Sequence, residues 1–421
     1  MTKASSPATI DAPIAFSGSR SDLRSSLLKA YRTVRDETER RAAPLSPEDQ
    51  LIQSMPDASP AKWHRAHTTW FFEQFVLGAH VPGYQVFHPD YAYLFNSYYV
   101  SAGPRHARAQ RGHLTRPGAE AVTAYRAYVD GEMQKFLDEA SEQKLREIAP
   151  LMEVGFNHEQ QHQELMLTDI LHAFAQNPIP PAYDAQWSAP PSQPRRDEWV
   201  TLTEGIHTIG HGGDTFHFDN EKPAHRALVG PVKLARNLVT NGEWLEFMKD
   251  GGYRTPTLWL MDGFAAAEKE GWDAPGHWRH VDAANSEKGW HIMTLAGLKP
   301  VDPNAPVMHV SYYEADAFAR WSGKHLPTEM EWEVAARAGE LNDAYGIVWQ
   351  WTRSSYAPYP GYRAIEGALG EYNGKFMVNQ YVLRGSSLAT PEGHSRVTYR
   401  NFFYPHHRWQ FTGLRLADYP V

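Results

Sequence analysis

The residues with the most chemical content are His158 and His162, in the run His158-Glu159-Gln160-Gln161-His162-Gln163-Glu164, and His67 far upstream. Two histidines four apart on a helix project from one face, a turn from each other, so both can bind one ion. The stretch from Leu151 to Ala175 has helical periodicity, with Leu151, Val154, His158, Gln161, His162, Leu165 and Asp169 on one stripe. An imidazole on an inward stripe costs desolvation unless it is hydrogen-bonded or ligates something. The His-x-x-x-His spacing alone is a weak signal, and His67 strengthens it. Upstream of His67, Ser59 is expected as a helix N-cap with Pro60 at the first helical position. Trp63, His67, Trp70 and Gln74 then share a face, whereas His64 falls off that stripe and is expected to be solvated. Three neutral imidazoles converging from two helices leave coordination positions open, which suits Fe(II) and O2 chemistry or catalytic zinc. Spacing does not choose between these metals.

Positioning such a site calls for a helical scaffold. Leu23, Leu27, Leu28, Tyr31 and Val34 form one amphipathic stripe, and Val122, Tyr125, Val129, Met133 and Phe136 another. With the helices around His67 and His158 they predict an up-down four-helix bundle with ligands projecting into its core. The proline-rich stretch from Asn177 through Pro194 reads as a semi-rigid linker. Beyond it lie short strand-like pieces rich in Gly, Trp and Asn, with three capping boxes: Thr240 with Glu243, Ser311 with Glu314, and Thr328 with Glu331. The stretch from Met261 to His291 reads as irregular. The expected division is a helical domain over 1–176, a linker over 177–198, and an α+β domain with large loops over 199–421.

Composition excludes several function classes. A chain of 421 residues with 42% hydrophobic content can bury real cores. A net charge of -8 without a basic cluster argues against nucleic acid and anionic membranes as partners. No apolar run is long enough to span a bilayer, and the N-terminal stretch lacks the apolar core of a signal peptide. A cytoplasmic protein, monomeric or a small homo-oligomer, is expected. With no cysteine in the chain, disulfides and thiolate ligands are excluded. An enzyme that handles a thiol near iron and oxygen gains from having none of its own to oxidise.

The stretch from Val307 to Arg337, with Val348-Trp349-Gln350-Trp351-Thr352, Leu383-Arg384-Gly385-Ser386-Ser387 and Arg400-Asn401-Phe402 … Gly413-Leu414-Arg415, resembles the formylglycine-generating-enzyme type of C-type-lectin-like fold. The first half resembles a DinB-like four-helix bundle with a His … His-x-x-x-His-x-Glu signature. The fusion, over nearly the whole chain, is similar to the ergothioneine-biosynthesis sulfoxide synthases (EgtB type), non-haem iron oxygenases that join a thiol sulfur to the imidazole of hercynine. The resemblance implies Fe(II) on His67, His158 and His162, O2 as cosubstrate, and Gln161 hydrogen-bonded to hercynine. It further implies Asn401 near hercynine's carboxylate or ammonium region, Phe402 facing the trimethylammonium, and Tyr372 in the same pocket. Glu164 is expected to orient a histidine rather than to ligate.

Three departures from the actinobacterial branch narrow the substrate. Phe403 and His407 stand where an Asp and an Arg grip the γ-glutamyl arm of γ-glutamylcysteine, and Leu369 stands where the catalytic tyrosine does. Tyr98-Tyr99 resembles a second branch, which uses cysteine and takes its catalytic tyrosines from the bundle. A phenol near the metal can deliver a proton or electron and steer the reaction to C–S coupling; without it, oxidation of the thiol to sulfinate is easier. Two adjacent tyrosines cannot both point one way if the chain is extended. Arg105 and Arg108 are candidates for the carboxylate of the donor. Close relatives join selenium from a selenosugar to hercynine, giving selenoneine; Val100-Ser101 and the short connection from Arg337 to Val348 leave that reading open. A DinB-type metal-dependent thiol transferase and a lectin-like binding protein with a vestigial metal site are the alternatives from other classes.

Overall fold

The computed structural model describes residues 22–189, 197–282, 288–364 and 373–420. The first half holds α1 Asp22–Ala42, α2 Ala61–Phe72 continued by a π-helical turn Glu73–Leu77, the short α3 Gly78–His80 and α4 Tyr91–Phe95, then α5 Ala119–Glu139 and α6 Glu142–Gln176. The apolar stripes meet as their periodicity requires: Leu27, Tyr31 and Val34 of α1 and Val122, Tyr125, Val129 and Met133 of α5 are buried in one core. Among the described residues no helix is long and apolar enough to cross a membrane.

α6 starts earlier than its sequence suggests. Ser141 caps it by accepting a hydrogen bond from the Lys144 amide at 3.2 Å, and the helix continues through Pro150. An interior proline costs about 3 kcal/mol. Leu145, Ile148 and Met152 are buried on both sides of it, and each contributes roughly 1.5–3 kcal/mol, so packing wins. One turn before His158, a Cβ on Gly155 would come within 2.7 Å of the Phe72 ring and 3.0 Å of the Phe71 ring. Only glycine lets α2 and α6 approach this closely, and that approach brings the histidines of both helices together. Next to His158, fully buried Glu159 accepts from Arg35 at 3.0 Å, Arg126 at 3.1 Å and Thr38 at 2.7 Å. This network ties α1, α5 and α6; removing one partner would leave an uncompensated buried charge.

One local expectation is corrected. Ser59 does not cap α2: Pro60 occupies that position without a side-chain bond, and the Ser59 hydroxyl accepts from Arg111 at 2.8 Å. In the first part of the proline-rich stretch Tyr183 and Trp187 pack on a core shared by both halves, and the Tyr183 hydroxyl donates to the Arg41 carbonyl at 2.7 Å.

Among its described residues the second half has twelve strands: β1 Trp199–Leu202, β2 Gly205–Ile209, β3 His225–Val229, β4 Val232–Ala235, β5 Trp278–Val281, β6 Gly289–Thr294, β7 Gly297–Pro300, β8 Trp349–Ser355, β9 Tyr381–Gly385, β10 Asn401–Phe403, β11 Thr412–Gly413 and β12 Ala417–Asp418. They form four small sheets, ordered β1-β4-β12, β2-β3, β5-β6-β7 and β10-β9-β8-β11. Helices α7 Asn241–Lys249, α8 Met261–Glu270, α9 Tyr312–Trp321 and α10 Glu329–Arg337 pack around them. All three expected capping boxes are present, at α7, α9 and α10. The supposedly irregular stretch from Met261 instead contains α8, β5 and part of β6; α8 has no side-chain cap to announce it. Edge strand β10 pairs with β9, Asn401 opposite Leu383 and Phe402 opposite Val382.

Candidate metal centre and its surroundings

His67 on α2 and His158 and His162 on α6 offer ligand nitrogens that all lie within 4.8 Å of one another. The Nε2 atoms of His67 and His158 are 3.1 Å apart. His67 and His158 are buried, and His162 is half-buried. Burial pushes the His158 imidazole down to about 3 and holds His67 and His162 well below the usual histidine range. All three are therefore neutral at pH 7, the form that ligates. His67 Nδ1 lies 2.6 Å from the Phe95 carbonyl oxygen, so Nδ1 carries the hydrogen and Nε2 keeps the lone pair. Three neutral, converging imidazoles with no thiolate fit a divalent first-row ion with positions left open.

His64 is not solvated. It is buried, with Nδ1 at 2.8 Å from His162 Nδ1 and Nε2 at 3.1 Å from Asp169 Oδ2. The stripe argument assumes a helix with one exposed face, but every residue of α2 is buried. Helix α6 and the loop carrying Arg111 and Leu114 cover the face that the stripe leaves over.

His67 lies in a ladder of aromatic and cationic groups. The Arg111 guanidinium carbon is 3.3 Å from the Trp63 ring centroid, Trp63 stacks on His67 at 4.6 Å, and His67 stacks on Trp70 at 5.5 Å. Trp70 meets Tyr99 at 5.7 Å and Tyr99 stacks on Tyr98 at 4.7 Å, 27° between planes. The two tyrosines face each other because the chain is bent there, not extended. The Asn96 side chain accepts from the Tyr99 amide at 3.2 Å and donates to the Tyr99 carbonyl at 2.9 Å and the Gly103 carbonyl at 3.2 Å, wrapping the loop around itself.

The two arginines singled out in sequence stay outside. Arg105 and Arg108 are exposed, and Arg108 donates to the Asp57 carbonyl. The arginine that reaches the ladder is Arg111, one 3-10 turn further on. It is buried, donates to Ser59 Oγ at 2.8 Å and Ser97 Oγ at 3.3 Å, pairs with no carboxylate among the described residues, and its Nε lacks a partner. Burial, then the neighbouring Arg108, disfavours its charge, so an incoming carboxylate would relieve it. Its three-residue spacing from Arg108 was the only sequence signal.

The stripe of α6 that carries the histidines faces the second half. Gln161 Nε2 donates to the Tyr399 hydroxyl at 2.6 Å; that hydroxyl lies 3.3 Å from His394 Nε2, and His394 Nδ1 lies 3.1 Å from Gln160 Oε1 and 3.2 Å from Asn157 Oδ1. Tyr399 and His394 had no role in the sequence reading. Glu164 does not orient a histidine. It accepts from Trp349 Nε1 at 2.7 Å, Ser387 Oγ at 2.6 Å and Thr390 Oγ1 at 2.7 Å, pinning α6 to the β8–β9 sheet.

In the second half Phe402 stacks on Tyr356 at 4.1 Å, 9° between planes, and on Phe376 at 6.0 Å. Phe376 meets Tyr98 edge-on at 5.2 Å, so Phe402 and the tyrosine pair belong to one aromatic lining. Asn401 is half-buried beside it, its Oδ1 accepting from the Phe402 amide at 2.9 Å. Tyr372 and Leu369 lie outside the described residues. Phe403, His407 and Trp409 form an aromatic corner, with His407 4.5 Å from Trp409 and 6.1 Å from Phe403 between ring centroids. Burial pushes the His407 imidazole down to about 3, so His407 itself carries no charge at neutral pH.

Residues 30–166 match the DinB superfamily and residues 186–347 the sulfatase-modifying factor enzyme 1-like domain. A hercynine oxygenase of Mycolicibacterium smegmatis is 29% identical, over 87% of this chain and 92% of its own length. A hercynine oxygenase of Mycobacterium tuberculosis is 28% identical, over 86% and 91%. The second half alone is similar to a formylglycine-generating enzyme of Mycobacterium tuberculosis, 30% identical over 47% of this chain and 72% of that protein.

Proposed function

We propose that this chain, which belongs to the ergothioneine-biosynthesis sulfoxide synthase family, is a hercynine oxygenase that joins the sulfur of cysteine to the imidazole carbon of hercynine. In that reaction a C–H and an S–H bond are lost, a C–S and an S–O bond form, and the second oxygen atom of O2 leaves as water. The observation that carries the reading is the convergence of His67, His158 and His162, with Gln161 one residue before His162 on the same helix. Fe(II) held by the three imidazoles would supply the binding and reduction of O2.

The chain's own groups do the rest. Gln161, held by Tyr399, orients the hercynine imidazole, and Asn401 contacts its carboxylate or ammonium end. Phe402, stacked on Tyr356, contacts the trimethylammonium with its aromatic ring, an interaction of about 2 kcal/mol when desolvated. Trp63, Trp70 and Phe71 exclude water around the histidines. Tyr98 or Tyr99 holds a transferable proton at its phenol oxygen. Arg111, buried and lacking a carboxylate partner among the described residues, receives the carboxylate of the donor amino acid.

That last assignment favours cysteine over a selenosugar, which has no carboxylate to offer. The selenosugar reading is supported by a different feature, the aromatic corner of Phe403, His407 and Trp409, whose ring faces suit a sugar. Arg111→Met decides between them. With cysteine as donor the variant should show a KM raised about 10-fold or more at unchanged hercynine affinity, as expected for a lost charge-assisted pair. An unaltered KM for cysteine, with a selenosugar turned over in preference, would establish the selenium reading instead. Thiol transfer without O2 would point to the DinB-type transferase.

A further inference from the structure

Behind His162 the polar cluster continues across both halves of the molecule. Asp169, about two turns further along α6, is surrounded by three nitrogen groups. Trp409 Nε1 reaches its Oδ1 at 3.0 Å, and the Ser59 amide reaches its Oδ2 at 2.8 Å. Both are donors only. The third neighbour, His64 Nε2, lies 3.1 Å from the same Oδ2. A carboxylate has only acceptors to offer, so His64 Nε2 must carry a hydrogen. A neutral His64 then has its lone pair on Nδ1, which lies 2.8 Å from His162 Nδ1. The hydrogen between them therefore belongs to His162 Nδ1, and His162 Nε2 is left with the lone pair that can ligate. The other arrangement, a doubly protonated His64, would put the hydrogen of that contact on His64 and force His162 into the tautomer with hydrogen on Nε2, which cannot ligate.

We infer that His64 and Asp169 are positioning residues that set the tautomer and ring orientation of His162 for metal binding, through a chain Asp169–His64–His162 anchored by Trp409 of the second half. The chain differs from the support of His67, whose Nδ1 meets a backbone carbonyl within the bundle. Docking of the second half thus bears on the metal centre as well as on hercynine. Groups that orient a ligating histidine typically change metal affinity roughly 10- to 100-fold when removed.

The inference rests on the metal reading above, and the two can fail separately. The test is anaerobic binding of Fe(II) and of Co(II) to the full-length protein by competition with a chromophoric chelator, with the Co(II) visible spectrum as a second readout. Asp169→Asn keeps size but can offer its amide hydrogens to His64 Nε2, which reverses the polarity of the chain. It should weaken metal binding roughly 10- to 100-fold and shift the Co(II) bands, and Asp169→Glu, though bulkier, should restore part of the affinity. Should the Asp169 variants fail to fold, His64→Leu should lose affinity to a similar degree, while His64→Gln, whose carbonyl can accept from His162 Nδ1, keeps most of it. Wild-type affinity in Asp169→Asn or in His64→Leu overturns the inference. So does weaker metal binding by Asp169→Glu than by Asp169→Asn, the order that packing alone would give. A wild-type protein that binds neither ion overturns the metal reading itself.

Discussion

Replacing Tyr399 by Phe removes one hydroxyl from a chain of hydrogen bonds between the two halves and tests whether Gln161 is positioned for an organic substrate. The hydroxyl accepts from Gln161 Nε2 at 2.6 Å and lies 3.3 Å from His394 Nε2. The ring itself is packed against Trp349 at 5.1 Å and Phe218 at 5.7 Å, contacts that Phe preserves. Removing this acceptor from the half-buried Gln161 amide costs up to about 1–3 kcal/mol of stability. Gln161 is then held less firmly in advance, and immobilising such a side chain costs about 0.5–1.5 kcal/mol of binding. At about 1.36 kcal/mol per decade that is roughly a 2- to 13-fold weaker hercynine affinity. Steady-state oxygen uptake and calorimetric hercynine binding should show that rise in KM and Kd, with kcat and metal content nearly unchanged. A fall in kcat at constant KM would refute the positioning role and assign the hydroxyl to the chemistry.

Other perturbations follow from the same geometry. His162→Ala should remove most bound iron, measured by metal analysis after anaerobic loading, and abolish turnover; full iron with full activity would remove His162 from the ligand set. The Tyr98→Phe/Tyr99→Phe double variant keeps the stacked rings and should still bind iron and hercynine, but mass spectrometry should find cysteine sulfinate in place of coupled product. Undiminished coupling would leave both tyrosines as packing residues. Acid should unfold the protein partly through His309, whose imidazole burial pushes down to about 4 and whose Nδ1 donates to the Gln410 carbonyl at 2.9 Å. Because the folded value lies below the unfolded one near 6.5, its contribution is complete above pH 6.5 and is lost as pH falls toward 4, about 3 kcal/mol in all. Urea midpoints from about pH 7 to 4.5 should fall less steeply in His309→Asn, a residue that tolerates the positive φ of 63° at this position; an identical slope would exclude His309.

The parts of the site that sequence made legible are those set by short-range periodicity. His67, His158 and His162 could be read because helical spacing fixes which side chains share a face, and the three capping boxes because they are local. What escaped depends on chain segments far apart. His64 lies off its helix's aromatic stripe, and it is the facing groups of α6, His162 and Asp169, that make its side an interior. Glu164 and Tyr399 act across the interface between the halves, more than two hundred residues apart from their partners Ser387 and Gln161 respectively. Arg111 is separated from Arg108 by a single 3-10 turn, and in such a turn residues three apart eclipse, so nothing in the sequence said which of them turns inward. The path of α6 through Pro150 was hidden for a thermodynamic reason: a local penalty is legible, the long-range packing that outweighs it is not.

The most direct test is oxygen consumption by the Fe(II)-loaded protein with cysteine, in the presence and absence of hercynine, with products identified by mass spectrometry. The expected result is uptake that requires hercynine and yields one hercynylcysteine sulfoxide per O2 consumed. Uptake that proceeds equally without hercynine and yields only oxidised cysteine, or coupling that needs no O2, would contradict it.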